Sequence, residues 1–231
     1  MKRIAIIPAS GKGLRMDNPL PKQYIKLNNG LTVIDTTICQ LLKSSFFDRI
    51  LVVLDSNNHY WSQSVHRNNR KILVCLGGKT RSNSVYNGLL TLESVVDGND
   101  WIFVHDSVRP CIQLNDIRRL HNSVIVEKSI GGILACPAIE TIKQANNSKN
   151  IVKTLIRKHI YLAQTPQVFR YNTLLAGYYF CFRNDIEVTD ESSVIESLGY
   201  QPIIIEGNHQ NIKITNRDDI FLVNYFLSII E

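Results

Sequence analysis

The chain is predicted to be an α/β protein with a mostly parallel central sheet flanked by helices, and three observations carry the prediction. Short apolar runs at residues 4–7, 50–54, 71–76 and 101–104 alternate with stretches whose apolar residues recur at helical spacing, as in a buried sheet covered on both faces. The residues with chemical potential follow those runs directly, at 11–15, 77–81 and 106–109, and ligands on such sheets bind outside the carboxyl ends of the strands. The alternation then breaks between residues 133 and 156, where a β-hairpin arm is expected.

The first run empties into Pro8-Ala9-Ser10-Gly11-Lys12-Gly13-Leu14-Arg15-Met16, and Pro19-Leu20-Pro21-Lys22-Gln23-Tyr24 follows. Glycines at 11 and 13 let the backbone turn and bring N–H groups close to a polyphosphate, and Arg15 and Lys22 add full charges. A Walker loop is excluded because no Gly-x4-Gly-Lys-Ser/Thr spacing occurs. A dinucleotide fingerprint is excluded because Met16 stands where the third glycine belongs. Two glycines after a strand also make an ordinary turn; the two cations and flanking prolines favour the ligand loop.

The remaining elements follow in order. Apolar spacing predicts a helix over 33–42, a strand over 50–54, a short helix within the polar and aromatic stretch 57–70, and a strand over 71–76 that ends in Gly77-Gly78. A helix over 81–92, a strand over 101–104 ending in His105-Asp106, and a helix over 117–126 come next. Residues 133–142 and 151–156, rich in Thr, Ile and Val around a polar 146–150 tip, read as one long hairpin. A lone hairpin is marginal in water, so the same arm of a second copy is expected to hold it, in a two-fold dimer. Folding back on its own domain is the alternative. Residues 164–167 read as a loop, 174–182 as a helix, and Thr189-Asp190-Glu191-Ser192 as a helix start. Two apolar stretches, 202–206 and 212–214, follow, with Lys213 facing away from its neighbours by alternation, before a closing helix over 220–230. Residues 1–231 are thus expected to form a single Rossmann-like domain with a dimerisation arm at about 138–158.

Composition narrows the partners. With 44% hydrophobic and 20% charged residues and no apolar run near the ~18 residues of a membrane span, the chain is expected to be soluble. Lys2-Arg3 before residues 4–7 imitates the start of a signal peptide, but Pro8 and Gly11 break the run. Five scattered cysteines without a CxxC pair suit reduced thiols in a cytoplasm, and a metal site built from them is not expected. The net charge of +6 favours an anionic partner. The cations are spread along the chain and no RNA-binding motif occurs, so no nucleic acid is expected. Arg15, Lys22 and Lys213 with the Gly77-Gly78 donors and the acid Asp106 suit phosphoryl or nucleotidyl transfer, where stabilising charge on phosphate oxygens is the main catalytic contribution.

These motifs, read in order, resemble the 2-C-methyl-D-erythritol 4-phosphate cytidylyltransferase family. The resemblance rests on Pro8-Ala9-Ser10-Gly11 with Gly13 and Arg15, then Pro21-Lys22-Gln23-Tyr24, then Gly77-Gly78 with Arg81 and Ser84. It continues through His105-Asp106 with Arg109-Pro110, Thr165-Pro166-Gln167, Thr189-Asp190-Glu191 and Asn211-Ile212-Lys213. It implies transfer of a cytidylyl group from CTP to a sugar-alcohol phosphate, with Mg²⁺ held mainly by phosphate oxygens and water. By the same resemblance Arg15, Lys22, Arg157 and Lys213 are catalytic, Arg157 reaching in from the partner's arm. Ala9, Ser10, Gly11, Gly13, Gly78, Lys79 and Ser84 cradle the nucleotide, and Asp106, Arg109, Thr141, Thr165 and Thr189 line the acceptor side. Ser10, Ser107 and Val108 replace alanines, and Lys79 an acid, that the family carries more often. A pentitol phosphate such as ribitol 5-phosphate is the alternative acceptor, and a non-catalytic nucleotide- or RNA-binding module is the alternative from another class.

Overall fold

A computed structural model describes residues 1–11, 20–43 and 45–230. Its centre is a seven-stranded sheet in the order β3-β2-β1-β4-β8-β5-β9, formed by β1 (Arg3–Ala9), β2 (Arg49–Leu54), β3 (Ile72–Leu76), β4 (Trp101–Val104), β5 (Gly131–Pro137), β8 (Tyr161–Arg170) and β9 (Ile203–Glu206). Every pairing is parallel except the two made by β8, which runs antiparallel to β4 and to β5. The α/β class read from the alternation therefore stands.

Strand periodicity explains why both faces are apolar. On β1, Ala5 and Ile7 face a layer built on α1 (Val33–Leu42) and α3 (Leu114–Val126), with Ile34, Ile38, Leu41, Ile117, Leu120 and Val124. Ile4 and Ile6 face the opposite layer, α2 (Arg81–Thr91), α4 (Tyr171–Arg183) and α5 (Glu191–Ser197), where Val85, Leu89, Leu174, Val194 and Ile195 are buried. α6 (Asp218–Ile230) closes a smaller core in which Val223 and Leu227 meet Leu27, Val33, Val108, Cys111 and Ile214. Side-chain caps fix the starts of α1, α2 and α5: Thr32 accepts from Asp35 N–H, Thr80 from Asn83 N–H, and Asp190 and Ser193 form a reciprocal capping box. No helix among the described residues is long and apolar enough to cross a membrane.

Three expectations are corrected. Residues 57–70 hold only a short 3-10 turn, Trp61–Gln63, within a series of turns; the polar run lacks an apolar stripe to bury. The long hairpin is divided. Residues 133–137 belong to β5 inside the main sheet, and only β6 (Lys143–Ala145) and β7 (Ile151–Thr154) pair as a separate two-stranded arm, every residue of which is exposed. Residues 164–167 are not a loop but the middle of β8. Proline is tolerated there because pairing lapses: Ile133 faces Gln167 and Ala135 faces Ala163, so one residue of β5 stands opposite three of β8, a bulge.

Candidate active site

The strand order turns at β1, whose neighbours β2 and β4 lead to opposite halves of the sheet, and such switch points open a crevice at the strands' carboxyl ends. A cavity of about 800 Å³ lies there, lined by Ser10 and Gly11 after β1, Asp55 and Ser56 after β2, residues 77–81 after β3, residues 106–108 after β4, and by Lys22, Gln23 and Lys213. The three strand-end loops singled out in the sequence thus share one cavity, as far as they are described; Gly13 and Arg15 lie outside the described residues.

One half of the wall is backbone held at close quarters. A Cβ on Gly77 would stand 2.8 Å from Ser10 Cβ and from Ser84 Oγ, and one on Gly78 2.4 Å from Asn83 Cβ, so only glycine lets the β3 loop close on the β1 loop. Ser84 is fully buried. Its hydroxyl donates to Thr80 O at 2.8 Å and accepts from Gly78 N–H at 3.0 Å, which leaves Ser10 Oγ to donate in the 2.7 Å Ser10–Ser84 bond. Ser84 therefore fixes the loop from behind, and Ser10 adds a tie that alanine could not make. From the other side, buried Gln23 donates to the carbonyls of Ala9 and Gly11, both at 2.9 Å. Its neighbour Lys22 donates to Ile214 O at 2.9 Å from the 3-10 turn Lys22–Tyr24.

The other half gathers charge around Asp106. Arg81 Nε approaches its Oδ1 at 3.2 Å, and Lys213 Nζ and Arg109 Nε approach Oδ2 at 3.0 and 3.4 Å. Burial pushes the Asp106 carboxyl up, but Arg81, Lys213 and Arg109 outweigh it and hold the group well below the usual carboxylate range. Residues 212–214 form no strand, yet the expected alternation operates: Ile214 is buried against Val108 through an N–H···O bond, and Lys213 turns to Asp106. Arg109 stands behind the wall, its Nη1 donating to Asn211 O at 2.6 Å. Thr165 accepts the Asp106 N–H at 3.0 Å, and Asn211, fully buried, donates its side-chain N–H to Thr165 O at 2.8 Å. Burial drives the His105 imidazole down to about 4, so it is neutral at pH 7.

The remaining expected residues among those described are exposed. Lys79 is exposed on the cavity rim. Thr141 and Arg157 are exposed, Arg157 in a short turn following the arm, and neither lines the cavity. Thr189 is also exposed, and its N–H donates to Ser193 Oγ beside the start of α5, the helix-start arrangement its neighbours suggested.

Residues 3–228 match the family model described as IspD: 2-C-methyl-D-erythritol 4-phosphate cytidylyltransferase. The chain belongs to this family. The cytidylyltransferase of Ruthia magnifica is 40% identical to it over 96% of this chain and 95% of that one, and that of Buchnera aphidicola 39% over 98% and 93%. The crystal structure of the Francisella tularensis enzyme superposes with a TM-score of 0.87 at 42% identity, covering 98% of this chain and all of that one. For an IspD-family chain the sequence reading passed over Arg81, Gln23, Glu191 and Asn211 as site residues. Each lay inside a quoted motif, but their roles depend on partners from 12 to 110 positions away, which no local pattern reveals.

Proposed function

We propose that this IspD-family chain joins CTP and 2-C-methyl-D-erythritol 4-phosphate to give 4-diphosphocytidyl-2-C-methyl-D-erythritol and pyrophosphate. The observation that carries this reading is the divided cavity at the switch point, with close-packed backbone on one side and the Arg81, Lys213 and Asp106 cluster on the other. The loop from Ala9 to Gly13 and the segment from Gly78 to Ser84 hold the nucleotide, and Arg15 and Lys22 stabilise charge on the triphosphate. Lys213 holds the acceptor phosphate, and Asp106, Arg109, Thr165 and Thr189 line the acceptor side.

A phosphate monoester has its second pKa near about 6, so its attacking oxygen is largely ionised at pH 7 without a general base. Neutral, fully buried His105 fits a site that asks for none. The oxygen attacks the α-phosphorus in line, the bond to the β-phosphate bridge breaks, and pyrophosphate leaves with the electron pair; positioning and charge supply the catalysis. Among the described residues no group of three or more His, Cys, Asp or Glu gathers as a metal cage. This donor set fits Mg²⁺ held mainly by phosphate oxygens and water, with the carboxylate of Asp55 on the cavity wall. When bound, the ion offsets triphosphate charge.

The exposed two-stranded arm, with Ile151 and Val152 on it and Ile156 just beyond, all at 60% exposure or more, supports a homodimer in which Thr141 and Arg157 serve the partner's acceptor site. Pyrophosphate release from CTP and Mg²⁺ tests the assignment, with methylerythritol 4-phosphate and ribitol 5-phosphate supplied separately. Release with the first is expected. Release with the second alone would replace the acceptor, and release with neither would overturn the enzymatic reading.

A further inference from the structure

One guanidinium on the cavity wall has each of its three nitrogens engaged by a carboxylate. Arg81 opens α2 and lines the cavity, yet Nη1 and Nη2 donate to Oε1 and Oε2 of Glu191 at 2.7 and 3.0 Å while Nε reaches Asp106. Glu191 opens α5, has no exposed surface, and also accepts from Tyr178 Oη of α4 at 2.8 Å. A two-point fork fixes both the position and the plane of the guanidinium. Three helices thus share one polar chain beside the apolar residues of their layer. Burying an ion pair is seldom the cheapest way to stabilise a core, since apolar residues of similar volume often do as well. Stability alone does not account for it.

We infer that the Glu191–Arg81 pair is a positioning device for Asp106, and through it for Lys213 and Arg109, and that Arg81 is not a further phosphate-binding cation. Torsion of a carboxylate about its last bond is soft. With Oδ1 held by Arg81, Oδ2 is left facing Lys213 and Arg109, and rotation that would release them is blocked. Glu191 is what keeps Arg81 in that place: without its charge, the guanidinium would be free to swing toward phosphate in the cavity. Glu191 itself, being fully buried, can touch no substrate. The inference rests on the proposed function for the roles of Lys213 and Arg109 on the acceptor side.

The test begins with wild-type pyrophosphate release, whose absence would overturn the function and not this inference. Binding is then measured by calorimetry, first of the α,β-methylene analogue of CTP and then of methylerythritol 4-phosphate to the protein holding that analogue, so that inactive variants are still read. Glu191→Gln is expected to weaken acceptor binding by about fivefold or more while nucleotide binding changes less than about twofold, the scale of coupling between groups in one network. Repeated in an Asp106→Asn background, the same change should lose at least about two-thirds of that effect. Effects that multiply independently, or equal losses for both ligands, would overturn the inference. Should Glu191→Gln fail to fold, Tyr178→Phe removes one hydrogen bond to Glu191 away from the cavity wall. Its expected effect is about a twofold loss of acceptor affinity, absent beside Asp106→Asn; no loss, or the same loss in both backgrounds, would overturn the inference equally.

Discussion

Thr165 has one proton and two polar neighbours, and their geometry decides where it goes. His105 Nε2 stands 3.2 Å from the Arg109 carbonyl, which can only accept, so that nitrogen carries the ring's proton and Nδ1 must accept from Thr165 Oγ at 3.0 Å. The same hydroxyl oxygen takes the Asp106 N–H. Thr165→Val keeps the shape but leaves a buried N–H without a partner, which is expected to destabilise the protein by about 1–3 kcal/mol. Urea midpoints read this, and Thr165→Ser should recover most of the loss. Lys22 gives a complementary case, in which charge and not packing is at stake. With Lys22 as a charge stabiliser on the triphosphate, Lys22→Met is expected to lower kcat for pyrophosphate release by about 100-fold or more, the scale of losing one such donor. A loss confined to KM would instead assign Lys22 to binding alone.

At the scale of elements, what could be read in the sequence was whatever local patterns encode. Residues 33–42 were legible to the last position because Val33, Ile34, Ile38 and Leu41 form a stripe behind a Thr cap. β8 was not, because a proline within a central strand argues against a strand, and only the partner's register reveals the bulge that accommodates it. That bulge has a use: it turns Thr165 to Asp106, while Gln167 just beyond it bonds α5 through Asp190 Oδ2 and Ser192 N–H, both at 2.8 Å. The candidate site divides the same way. Asp106 was legible because chemistry at a strand's end is a local signal, and Lys22 and Lys213 because each is a cation within a short motif, whereas the Arg81–Glu191 link joins residues 110 apart. Helix spacing at that link is tight: a Cβ on Gly177 would lie 2.6 Å from Val194 Cγ1, between α4 and α5. Gly177→Ala is therefore expected to destabilise by about 1–3 kcal/mol through overpacking, read as a lower urea midpoint. Being next to Tyr178, it should also weaken acceptor binding more than nucleotide binding. An unchanged midpoint would mean the two helices separate without strain.

Across the whole molecule, two of the buried imidazoles, His105 and His121, set how the fold meets acid. His105 lies behind the site, and His121 packs on α3 among Phe46, Trp101 and Phe103 with its Nε2 unpartnered. Burial drives both down to about 4, assisted at His121 by Arg3 and Arg170. In the unfolded chain both would titrate near about 6.5, so between those values the unfolded state binds more protons than the folded one. Stability is then fully present above about 6.5 and falls as pH drops toward 4, by up to about 3 kcal/mol for each imidazole. Asp106 acts in a lower window: its carboxyl is held below the ordinary range, so its contribution is lost only as pH falls below about 4. His121→Phe separates the two imidazoles, because a benzene ring suits the aromatic surroundings and has no nitrogen to protonate. Unfolding free energies from urea titrations at pH 7.5 and 5.0 should show the wild type losing stability on acidification and the variant losing less, by about 1–2 kcal/mol. Equal losses in both proteins would clear His121 and point instead to His105, which accepts from Thr165 behind the site.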